Sequence, residues 1–237
     1  MLDTIITYFL LFIIYSFVGW LMEVTLQFIE KHRFINRGFL IGPICPIYGG
    51  GALLIIILLS PYKTKPVLLF IMAIIICSIL EYFTSYIMEV VFKTRWWDYS
   101  DKRFNINGRV CLNTMLPFGI LGCVVCYLIN PFFLNILSLI DMNILRVITL
   151  ILFIIYLIDN ILSFDIILKL RNTITNIERD STEEISKKVR AIFLKRGGLY
   201  KRLVNAFPNM LSPKERLLAL KSRINKELEK IDKKIRH

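Results

Sequence analysis

Histidine is almost missing from this chain of 237 residues: His32 and His237 are the only two. That scarcity argues against a histidine-based metal centre or a Ser-His-Asp type of triad. No GxxxxGK[ST] phosphate loop occurs, so the sequence offers no P-loop nucleotide site. Nucleic-acid recognition motifs are missing as well, and nucleic acid is not expected as a partner. The five cysteines are Cys45, Cys77, Cys111, Cys123 and Cys126. Cys123-x-x-Cys126 has the spacing of a zinc or redox pair, but it lacks a second pair and lies in an apolar run. The five read as small packing residues. The first residues carry no basic leader and no small-residue cleavage site, so the first apolar run reads as a retained helix and not a signal peptide. These residue types assign no catalytic, cofactor-binding or metal position.

What the sequence has in abundance is apolar surface. Hydrophobic residues make up 56% of the chain and the mean hydropathy is +0.61, outside the soluble range. A membrane-spanning helix needs about 20 largely apolar residues. Five segments qualify: Ile5–Ile29, Phe39–Ser60, Pro66–Phe92, Met115–Ile140 and Ile144–Leu168. The expected fold is therefore all-α and polytopic, a transmembrane helical domain over 1–170 followed by a basic helical tail over 171–237.

Charge sets the orientation. Of 30 Lys and Arg, 19 lie from Lys169 onward, three in Lys31–Gly38, two in Pro61–Lys65, five in Lys93–Arg109, and Arg146 stands near the fourth turn. The positive-inside rule puts loops one and three and the tail in the cytoplasm. Five helices then leave the N-terminus outside, and Met1-Leu2-Asp3 agrees. A basic tail beside a membrane is expected to meet anionic lipid headgroups or to anchor the topology.

The tail itself carries two helix-start signals. Ser181-Thr182-Glu183-Glu184 precedes an apolar face of Ile185, Val189, Ile192 and Phe193, as in an interfacial helix. Ser212-Pro213-Lys214-Glu215 precedes Leu217, Leu220, Ile224, Leu228, Ile231 and Ile235, a short coiled-coil seam. That seam either packs on the tail itself or makes a homodimer.

An internal echo runs through the membrane half. Met22-Glu23-Val24 recurs as Met88-Glu89-Val90. Arg33-Phe34, Gly38, Tyr48 and Gly49 recur as Arg103-Phe104, Gly108, Phe118 and Gly119. This suggests two helix hairpins in the same orientation plus one further helix.

Ionisable groups inside a bilayer cost about 2.5–3.5 kcal/mol each on insertion scales, so each invites a reason. Glu81 and Asp159 are expected near the middle of their helices. Glu23 lies about 9 Å from the middle of the first, at 1.5 Å per residue, and Glu89 and Asp165 fall near the inner boundary. One reading is a polar cavity open to the cytoplasm in which Glu23, Glu81 and Glu89 face Arg37 and Arg109. It would take a cation, a proton or a zwitterion. The other is structural: the acids pair with those arginines or accept hydrogen bonds from Tyr15, Thr84 or Asn113. Trp96 and Trp97 sit where an aromatic belt belongs, and Asp98-Tyr99 would form a helix-ending turn. The run Gly42-Pro43-Ile44-Cys45-Pro46-Ile47-Tyr48-Gly49-Gly50-Gly51 breaks the second span, so its backbone should be buried in protein or line a cavity.

Together these residues resemble the bacterial membrane family known as putative ABC-transporter type IV, or CmpB-like, labelled ABC transporter permease. The pattern is Gly19-Trp20 with Glu23, Asn36-Arg37-Gly38-Phe39, Gly42-Pro43 and Cys45-Pro46-Ile47-Tyr48-Gly49. It continues with Glu81, Glu89, Trp96-Trp97-Asp98-Tyr99, Asn105 and Gly108-Arg109. The resemblance covers about Ile13 to Gly122. It implies a transport component of the bacterial cytoplasmic membrane; any ABC ATPase would be a separate subunit, and with five helices a homodimer or another membrane subunit would be needed to complete the path. The candidate solute or coupling site is Glu23, Arg37, Tyr48, Glu81, Glu89, Asp98, Asn105 and Arg109. Two rivals stay open: a membrane enzyme acting on lipid headgroups, with Arg37 and Arg109 holding phosphate, and a non-catalytic scaffold or regulator working through the tail.

Overall fold

In the computed structural model the described residues are 1–32, 34, 36, 38–92 and 95–178. Arg37 and both helix-start signals of the tail lie outside them. The described residues are mostly helical, as the composition leads one to expect: α1 (Leu2–Lys31), α2 (Pro46–Leu59), α3 (Pro66–Phe92), α4 (Leu112–Val124), α5 (Asn130–Ser138) and α6 (Met142–Glu178). The backbone of α6 runs through residue 170 without a break. Proline sets several boundaries. Pro46 and Pro66 open α2 and α3, where a missing N–H costs nothing and the fixed φ suits a first turn. Pro61 turns the end of α2 into a short 3₁₀ turn, Ser60–Tyr62. Pro131 has no N–H for the carbonyl four residues back, and the chain widens into a π turn, Val125–Ile129, just before it.

Among the described residues four segments are long and apolar enough to cross a membrane: Leu2–Glu30, Pro66–Phe92, Leu112–Ser138 and Met142–Leu168. The second expected span, Phe39–Ser60, is helical only from Pro46, because Gly42, Pro43 and Pro46 deny its first residues a helical ladder. The resulting helix of 14 residues rises only about 21 Å. Apolar side chains face outward all round the bundle, most of all on α6, where 6% of the spanning window is buried. Such a surface suits lipid and not water.

Both polar loops fold back along the long helix before them. Cys45 N donates to Ser16 O at 3.0 Å, so the chain leaving the end of α1 has returned about 22 Å along it, at 1.5 Å per residue. The second loop ends in a small antiparallel hairpin, β1 (Asn105–Ile106) with β2 (Val110–Cys111). It lies against α3: Arg109 reaches Ser85, Asn107 reaches Tyr82, and Tyr99 and Thr114 reach Glu81. Glu81 is about 16 Å along the helix from Phe92. The two halves thus share a plan of long helix, returning loop and second helix, but not a register. Gly49 fits against Phe12 and Ser16 of α1, while Gly119 fits against Phe70 and Ile74 of α3. Ile74 is about two helical turns further from Glu89 than Ser16 is from Glu23.

The core fills in two places. Ile6, Leu10, Leu11 and Tyr15 pack with Ala52, Ile56, Leu137 and Leu145 near one end, and Ile55, Leu59, Leu69, Ala73 and Cys126 pack beside them. At the other end Phe39, Phe92, Trp96 and Phe164 form an aromatic cluster with centroids 5.2–6.1 Å apart. The cluster ties the returning loop to α3 and α6.

Candidate functional site

The returning loop after α1 shows how non-helical backbone survives in an apolar bundle. Its amides and carbonyls need partners that lipid cannot provide. Asn36 supplies some of them: it accepts from Gly38 N at 3.0 Å, donates to Ile41 O at 3.1 Å, and is fixed by Trp20 Nε1 at 2.8 Å. Asp159 supplies the rest from α6. Its two oxygens accept from Ile41 N and Gly42 N, each at 2.9 Å, and Ser163 Oγ donates to the same carboxylate. Gly42 is needed here, since a Cβ would collide with Asp159. A deep acid of α6 is therefore the anchor of the broken segment.

The second loop is held by ions. Glu89 Oε2 accepts from Arg95 Nε at 3.0 Å and Arg109 Nη2 at 2.8 Å. Arg95 also meets Asp98 at 3.3 Å and donates to Asn107 O at 3.1 Å. The Arg109 guanidinium lies 5.3 Å from the Tyr86 ring centre and 5.7 Å from that of Tyr82, within cation–π range. Asn105 closes the turn by accepting from Gly108 N and donating to Lys102 O. Asn107 and Gly108 both have positive φ, which the hairpin turn requires and which Asn-Gly adopts readily. A Cβ on Gly108 would also strike Ser100 and Asp98.

Between these loops and helices α1 to α4 and α6 lies a cavity of about 490 Å³. Glu23 lines it, accepting a 2.5 Å bond from Tyr48 Oη. Glu81 lines it too, only 7% exposed, accepting from Thr114 Oγ1 at 3.2 Å and Tyr99 Oη at 3.4 Å. The two carboxylates reach the same cavity from α1 and α3. Trp96, Trp97, Tyr99, Phe92 and Phe118 contribute aromatic wall, and α6 adds Tyr156 and Asn160. Among the described residues no Lys, Arg or His lines the cavity.

The structure brings three of the expected site residues, Glu23, Tyr48 and Glu81, to one chamber. Glu89, Asp98, Asn105 and Arg109 stand outside it and knit the second loop together. Arg37 is outside the described residues. Trp96 is not a lipid-facing belt residue: it is buried against Phe39 and Phe92, and Trp97 Nε1 donates to Arg109 O at 3.0 Å. Sequence reasoning missed Tyr99 and Thr114 as partners of Glu81, and Arg95 as a partner of Glu89. Tyr99 belongs to the conspicuous Trp-Trp-Asp-Tyr run. Nothing in the sequence distinguishes Arg95 from the loop's other bases.

A family profile described as "Putative ABC-transporter type IV" matches residues 10–164. No curated protein and no solved structure matches the chain.

Proposed function

Because the chain belongs to the putative ABC-transporter type IV family, we propose that it is a membrane transport component whose solute or coupling site is the chamber around Glu23, Tyr48 and Glu81. One observation carries this reading: two carboxylates from different helices line one largely apolar cavity. Charged groups at such a depth are costly, and they tend to mark a solute or proton path. The cavity is of the size that holds a small organic solute. In this reading the protein sits in a bacterial cytoplasmic membrane with its N-terminus outside, and the chamber opens toward the cytoplasm between the returning loops. A separate ABC ATPase subunit supplies the energy. The basic tail touches anionic lipid or that partner, and a second copy completes the path.

The test has two parts. Purification in mild detergent should recover an ATP-binding-cassette ATPase, identified by mass spectrometry; recovery of the chain alone would remove ATP coupling. In a deletion strain, Glu23→Gln and Glu81→Gln chains that accumulate normally should fail to restore the phenotype. Full restoration by both would remove the site. The enzyme reading loses one of its parts, since Arg109, its phosphate holder, is engaged by Glu89, Ser85 and two tyrosine rings.

A further inference from the structure

We propose that the chamber takes a monovalent organic cation with an apolar body, its charged centre held between Glu23 and Glu81. The inference rests on reading the chamber as the solute site and names the class of solute. Charge is the first argument. Of the Asp, Glu, Lys, Arg and His side chains among the described residues, only Glu23 and Glu81 line the chamber. Two carboxylates that face one largely apolar chamber repel each other where water is scarce. A guest cation removes that repulsion. A guest anion would add to it.

The nearest described arginines are no help to an anion. Arg95 and Arg109 both close on Glu89, outside the lining. Hydroxyl donors already fix the two carboxylates: Tyr48 on Glu23, and Tyr99 with Thr114 on Glu81. The acceptors are therefore held in place before any solute arrives, which lowers the cost of binding. The walls complete the match. Trp96, Trp97, Tyr48 and Phe92 line the same space, and aromatic faces attract cations while burying apolar groups. A bare calcium or magnesium ion fits poorly, because it takes six or more oxygen ligands. No group of three His, Cys, Asp or Glu side chains suited to a metal exists among the described residues.

The experiment uses the full chain in nanodiscs of zwitterionic phosphatidylcholine, with empty discs as blank. Tetraphenylphosphonium and tetraphenylborate have the same shape and opposite charge. Two of the chain's three tryptophans, Trp96 and Trp97, line the chamber and report occupancy by fluorescence. The phosphonium should quench saturably and the borate should not. Glu81→Gln and Glu23→Gln should each weaken the phosphonium at least tenfold, whereas Asp3→Asn, far from the chamber, should leave it unchanged. Should the glutamine variants fail to fold, Tyr48→Phe, which keeps both carboxylates and removes one donor, should weaken it several-fold. Equal binding of the two ions, or phosphonium binding indifferent to all three chamber variants, overturns the proposal. If the phosphonium does not bind but Glu23→Gln and Glu81→Gln abolish function, the cation class falls and the solute site stands. If it binds as expected while those variants function normally, the cation site stands and its role in transport falls.

Discussion

Glu89 shows what a shared carboxylate does for a loop that must lie inside an apolar bundle. Arg95 is 4% exposed and Arg109 8%, so each is a buried cation that needs its partner. Removing one side of such a pair costs about 3–5 kcal/mol, because the remaining charge is stranded. Glu89→Ala strands Arg109 and should therefore lower thermal stability in detergent by an amount of that order, and Arg109→Ala, which leaves Glu89 with Arg95, by less. Arg109→Lys should recover only part of that smaller loss, since an ammonium does not reproduce the planar contact with Tyr82 and Tyr86. Asp159 makes a second case. Asp159→Ala takes the carboxylate from Gly42 N and leaves Ile41 N with Ser163 Oγ, at about 1–3 kcal/mol for a stranded amide. Protease sensitivity between residues 36 and 46 should rise, while Asp159→Asn, which keeps an acceptor, should show less of the effect. Asp159 was conspicuous in the sequence by its depth and Glu89 by its place at the inner boundary; Arg109 was legible as a partner for Glu89, but Arg95 and the partners of Asp159 were not. Asp159 bonds to backbone 117 and 118 residues away, and backbone amides carry no side-chain signature.

At the scale of elements, the broken second helix was legible and its extent was not. Two prolines and a glycine announce that backbone near Gly42 cannot be helical. Only contacts with α6 show that it lies against Asp159. The three glycines opening α2 were legible only as a weakness. In the fold Gly49 is a close approach, where a Cβ would meet Ser16 Oγ and Phe12 O. Gly49→Val should push α2 off α1, pull Tyr48 from Glu23, and lower the yield of monodisperse protein in size-exclusion chromatography. Gly50, with open space around it, should tolerate alanine, and an equal loss at both positions would contradict the packing argument. The echo between the hairpins was likewise half legible. Recurring Glu and Gly residues match a common plan, but side-chain volume at Phe70 and Ile74 set the second hairpin in a different register.

At the scale of the whole molecule, membrane residence follows from the apolar surface of four long helices and was readable from composition alone. The chamber was not. Its lining comes from five helices and two loops, and no local pattern encodes which faces of those helices converge. The central claim is that this chamber is open to aqueous solute from the cytoplasm. Native cysteines allow it to be tested directly, because Cys45 and Cys77 line the chamber whereas Cys123 and Cys126 do not. The measurement is labelling by a membrane-impermeant thiol reagent in inside-out and right-side-out vesicles, with modified sites mapped by mass spectrometry. Thr84→Cys, which also adds a thiol to the chamber wall, serves as a second reporter. The account predicts that Cys77 and Thr84→Cys react from the cytoplasmic face only, with Cys126 spared. Reaction from the outer face, or from neither face at either position, would contradict it.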